Sequence, residues 1–121
     1  FWSDGAGTAT PAGHWNQITA MLAAQRKLSP SESARLFAML NIAMSDSIIG
    51  SWRSKFDHFF WRPESAIQNA GNDGNDATQA QVDWRPLILT PPHPEYTSGH
   101  AAFSGAAARV LSSYFGSDVA F

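Results

Sequence analysis

A chain of 121 residues is long enough for one compact domain, and its 44% of hydrophobic residues against 15% charged ones can supply a core. A formal charge of −2 and a pI near 6.0 exclude the broad positive field that nucleic acid or an anionic membrane surface requires. The absence of cysteine excludes disulfides, thiolate metal sites and cysteine nucleophiles, and no apolar run reaches the roughly 18 residues of a membrane span.

The first residue is Phe1, not methionine, and Phe1-Trp2 reads as the interior of a longer sequence. Phe1 to Gly13, rich in Gly, Thr and Pro, reads as loop. From His14 to Lys27, apolar residues at Trp15, Ile18, Met21 and Leu22 share one helix face. Ser29-Pro30-Ser31-Glu32 then carries a strong helix start: serine as cap, proline in the first turn and a glutamate that can reach back to the serine. The apolar residues that follow predict one long helix over 30–61, or two with a bend near Gly50, ended by Pro63. Its apolar residues occupy most faces, so it is expected to be central and buried.

Glu64 to Ala70 can add a short helical turn, and Gly71 to Asp76 is turn chemistry. Its Asp73, Asn75 and Asp76 lack the glycine and closing glutamate of a calcium loop. The Pro-rich segment up to Thr97 reads as a long loop held by Trp84, Leu87, Ile88 and Tyr96. Ala101 to Phe115 is the last helix, closed by Gly116. No segment reads as a strand, so the fold class is all-α.

Two short patterns carry chemistry. Lys55 and Arg62, seven residues apart, lie on nearly one face if the helix continues, roughly 10 Å apart along its axis and beside Trp52 and Phe59. Two buried cations need an anion, and a tetrahedral oxyanion suits a lysine and an arginine together. Alternatively they reach water or pair with Asp46, Asp57 or Glu64. The second pattern is Ser98-Gly99-His100 at the start of the last helix. Ser98 is placed to cap it, Gly99 lets an anion approach backbone amides, and His100 can move a proton near neutral pH. The alternative is an ordinary capped helix with a packed histidine.

Together these patterns resemble the superfamily of vanadium-dependent haloperoxidases and type 2 phosphatidic acid phosphatases. The resemblance rests on Lys55-(six residues)-Arg62-Pro63 and on Thr97-Ser98-Gly99-His100, with threonine where the family has proline. Phe1 to Gly5, His14 to Ile18, Phe59 to Pro63 and Pro91 to Tyr96 look like the haloperoxidase branch. The implied architecture is a helical-bundle segment with a long Pro-rich loop before its last helix, 1–121 forming a single partial domain.

The resemblance implies that Lys55, Arg62, Ser98 and the amide of Gly99 bind the oxygens of vanadate, or of phosphate in the phosphatase alternative. His100 is then the acid/base, Asp4 the carboxylate that orients it, and Trp52 and His93 line the halide side. Histidine at position 93 points toward bromide. In that reading His100 accepts a proton from hydrogen peroxide and Lys55 polarises the oxygen that halide attacks. In the other, the pocket serves hydrolysis of a phosphate ester. A phosphate-binding module without catalysis is the non-enzymatic alternative. The family's third motif, Ser-Arg-(five residues)-His, has no match: no histidine follows His100, and Arg109 is the sole arginine after Arg85. The histidine that would bind vanadium is therefore expected elsewhere, in the rest of the protein or in another chain, or else this piece is inactive.

Overall fold

The computed structural model describes residues 7–121, so Asp4 lies outside the described residues. Four α-helices and one 3-10 turn are present, and no strand is found among the described residues. The chain forms two compact units, one of Phe1–Ser51 with Ser98–Phe121 and one of Trp52–Thr97.

In the first unit α1 spans Pro11–Gln25, starting earlier than the apolar periodicity predicts. Thr10 caps it by accepting from the Gly13 amide, and Pro11 occupies the first turn, where its missing N–H costs nothing. The helix closes in a Schellman motif: Lys27 donates to the Ala24 carbonyl at 3.1 Å and Leu28 to that of Ala23 at 3.0 Å. Lys27 adopts the left-handed conformation this requires, with φ 53°, and Leu28 packs on the core.

Next, α2 spans Pro30–His58. Its start is the capping box expected from the sequence. Glu32 accepts from the Ser29 amide at 2.8 Å and from the Ser29 hydroxyl at 2.6 Å. Those two bonds hold the Glu32 carboxyl below the usual carboxylate range. The helix is unbroken at Gly50, and it ends three residues short of Trp61. Phe59 turns left-handed at φ 48°, and Arg62, which precedes proline, is extended at ψ 154°.

Leu36, Leu40 and Met44, spaced four apart, face a core shared with Trp15 and Leu22 of α1 and with Ala107 and Leu111. Asn16 and Asn41 exchange two amide hydrogen bonds at 3.0 Å beside it. The expectation that α2 is buried on most faces is corrected. Ile42, Ile49 and Phe56 are exposed, because a single stripe of the helix meets α1 and α4. α4 spans Gly99–Phe115 and starts two residues earlier than read, because Ser98 accepts from the Ala101 amide at 3.2 Å. Gly116, at φ 103°, closes it in a conformation that favours glycine.

The second unit holds the short helix α3, Pro63–Gln68, a 3-10 turn at Ala70–Asn72 and the long Pro-rich segment. Gln68 anchors that segment by donating to the Trp84 carbonyl at 3.0 Å, and the Gln81 amide donates to Ile67 at 3.1 Å. Asp73 and Asn75 accept from the Asn75 and Ala77 amides. These are turn contacts, as the sequence indicates.

Replacing Lys27 with glycine removes the left-handed strain and is expected to stabilise the protein by about 1 kcal/mol. Leu40→Ala, by contrast, is expected to cost about 2–5 kcal/mol through an unfilled cavity. Urea denaturation of the two variants checks both values; a destabilised Lys27→Gly protein would contradict the Schellman assignment.

Candidate functional site

Burying an ammonium group is unfavourable unless its protons find acceptors. Lys55, on the last turn of α2, is 1% exposed and is the largest fully buried side chain among the described residues. Its Nζ donates to the Pro94 carbonyl at 2.8 Å and to the Glu95 carbonyl at 2.9 Å. The Trp52 ring, one turn earlier, lies 5.6 Å from Nζ and offers its face to the charge. Burial lowers the Lys55 pKa from its ordinary 10.5, the positive charge of Arg62 lowers it further, and Glu95 opposes both.

Arg62 does not share a helix face with Lys55, which corrects the expectation of two cations two turns apart. It occupies the cap position before α3, with its side chain directed at the same Pro-rich loop. Nε donates to the His93 carbonyl at 2.7 Å, and one terminal nitrogen donates to Glu95 Oε2 at 2.9 Å. The other terminal nitrogen lies 2.6 Å from His93 Nδ1. A guanidinium can only donate, so Nδ1 can accept from it, and the same nitrogen lies 3.2 Å from the Pro94 carbonyl oxygen. The His93 ring also stacks at a tilt on Trp52, with centroids 5.0 Å apart.

The unit 52–97 thus gathers Trp52, Lys55, Arg62 and His93, four of the residues singled out from the sequence. None of Asp46, Asp57 and Glu64 pairs with the two cations as the sequence reading allowed. Asp57 instead faces Arg53 at 3.6 Å on the exposed side of α2. The carboxylate that does pair is Glu95, which sequence reasoning missed. Its signal was an acidic residue inside a Pro-rich segment beside His93, but it lies 33 residues from Arg62 along the chain. A cavity of about 360 Å³ is lined by Arg62, His93 and Pro94 together with Phe56, Phe59 and Trp61. A second cavity, of about 240 Å³, is lined by Arg62 and Glu95 together with Glu64 and Trp84.

Ser98, Gly99 and His100 belong to the other compact unit. Ser98 is the cap of α4, and Gly99 and His100 form its first turn, with the His100 side chain exposed. The amides of a helix start favour negative charge there.

The geometry by itself gives an all-α fold in which a buried lysine and an arginine are held by one Pro-rich loop. Comparison with known proteins makes it specific. Residues 35–121 match the VCPO second helical-bundle domain, and the chain belongs to that family. The vanadium chloroperoxidase of Curvularia inaequalis is 31% identical, over 88% of this chain and 20% of its own length. A solved structure described as the first bacterial vanadium-dependent iodoperoxidase is 33% identical, with a TM-score of 0.78 over 92% of this chain and 25% of its own. The chain therefore spans about a fifth to a quarter of the length of these relatives. The matched region contains Lys55, Arg62, His93 and Ser98 to His100; position 4 precedes it.

The buried Lys55 has a measurable signature. Its folded-state pKa is depressed, so between that value and 10.5 the unfolded chain binds more protons than the folded one. Stability therefore rises with pH across that window. The unfolding free energy of the protein, minus that of Lys55→Met, is expected to increase as alkaline pH is approached from below. A flat difference in pH-dependent denaturation would show that Lys55 titrates as a solvated lysine.

Proposed function

We propose that the protein to which this chain belongs is a vanadate-dependent haloperoxidase, oxidising halide with hydrogen peroxide. The 121 residues supply part of one helical domain. The observation that carries the reading is the buried Lys55 ammonium beside Arg62, within a chain of the VCPO second-bundle family.

The donor set fits a tetrahedral oxyanion. Lys55 and Arg62 carry two positive charges against the one carboxylate of Glu95, a formal balance of +1. Lys55 places two of its three N–H bonds on carbonyls, and every polar hydrogen of either side chain is a donor. Vanadate, when bound, would supply Lewis-acid activation of peroxide without changing its own redox state.

Each chain residue has a separable task in this proposal. Lys55 and Arg62 hold the oxyanion, and the lowered Lys55 pKa leaves the ammonium ready to share a proton as negative charge develops on oxygen. The Ser98 hydroxyl and the Gly99 amide, at the start of α4, are further donors. His100 accepts and returns the proton, Asp4 orients it, and Trp52 and His93 face the halide. The His93 ring is held between Arg62 and Trp52, and the halide proposed is bromide. The histidine that binds vanadium is expected outside these residues, since none follows His100.

Lys55→Ala, Arg62→Ala and His100→Ala in the complete, vanadate-loaded protein are each expected to lower bromide oxidation by about a hundredfold or more. Helix content by circular dichroism should not change. Loss of helix content instead would make these residues structural. Phosphate-ester hydrolysis without vanadate, and no halide oxidation with it, would replace this reading with a phosphatase of the same superfamily; neither activity would leave a phosphate-binding module. The 121-residue chain alone is expected to turn over neither substrate.

A further inference from the structure

We infer that Glu95 is a resident carboxylate ligand of Arg62 that competes with the oxyanion for the guanidinium and so sets how tightly the site binds it. The inference rests on the proposal that Arg62 binds an oxyanion, and it adds a residue to which the resemblance assigns no role.

Three observations lead to it. First, Glu95 Oε2 lies 2.9 Å from the Arg62 terminal nitrogen, the geometry an oxyanion oxygen would take on the same edge. Second, the pair is only partly buried, with side chains 19% and 43% exposed, so the carboxylate can leave the guanidinium for solvent. The backbone of Glu95 stays in place without it, because its carbonyl accepts from Lys55 and its amide donates to the Phe60 carbonyl at 2.9 Å. Third, Arg62 and Glu95 line the cavity of about 240 Å³, which gives the carboxylate room to swing and an anion room to approach.

The charges facing Glu95 define the effect. Arg62 touches it directly, Lys55 is close enough for its pKa to respond to it, and Glu64 lines the same cavity. The His93 ring engages Arg62 through another of its nitrogens. Glu95 places its negative charge directly on Arg62 and acts on Lys55 through space. Glu95→Gln keeps the size and one acceptor oxygen but takes the local balance from +1 to +2. An anion then meets two cations with no resident competitor.

The test measures binding of inorganic phosphate, and separately of vanadate, to the full-length protein by calorimetry at fixed pH. Glu95→Gln is expected to tighten both by about tenfold at low salt, and the gain should shrink as ionic strength rises. Glu95→Ala should tighten in the same direction, which guards against a misfolded glutamine variant. In the Arg62→Ala background, the Glu95 substitution should bring no gain. Should the unaltered protein bind phosphate and Glu95→Gln bind it equally or more weakly, the inference fails while the oxyanion role of Arg62 stands. Should none of the proteins bind either oxyanion, the proposed function fails first and this inference with it.

Discussion

An ammonium ion removed from water must be surrounded by acceptors, and in this chain Lys55 obtains them from the main chain of a loop 39 residues away. That one requirement organises the unit 52–97. The loop must bring the Pro94 and Glu95 carbonyls together over the end of α2. Once His93 to Glu95 is fixed, Arg62 finds its own partners in the same three residues. A carbonyl, a ring nitrogen and a carboxylate each accept from it.

The result is a cluster in which positive charge is positioned but not fully cancelled. Lys55 is restrained by neutral carbonyl dipoles, which orient the ammonium without removing its charge. Arg62 meets a single carboxylate and rests against the His93 ring. The oxyanion site proposed above needs this kind of surplus, because a cluster that balanced every charge internally would have little to gain from a guest. Membership of the VCPO second-bundle family gives the surplus its chemical context.

The other compact unit works on different physics. Its helices meet through a core of leucines, a tryptophan and a methionine, and each start is made by a capping hydroxyl with proline or glycine behind it. The beginning of α4 is therefore well defined before any ligand is considered. Ser98 restrains the first turn through the Ala101 amide, so Gly99 and His100 are presented from an ordered backbone. Large apolar side chains on the opposite side of α2 and in the segment after it remain exposed, Phe59 at 72% among them.

Much of this was legible in the residues alone. The helices, the caps at Ser29 and Ser98, the glycine stop at 116 and the long Pro-rich loop follow from local rules that act within four residues, so order along the chain suffices to find them. The Lys-(six residues)-Arg and Ser-Gly-His patterns were equally visible, and with them the family. Three features were not. Where α2 stops depends on the left-handed turn at Phe59, which no local preference of phenylalanine favours. Which stripe of α2 is buried depends on the helices that pack against it, since its apolar residues occupy several faces. The choice of Glu95 over Asp46, Asp57 or Glu64 as partner for Arg62 was set by folding of the loop, because a charge pairs with whatever the chain brings within reach and not with what stands next to it in order.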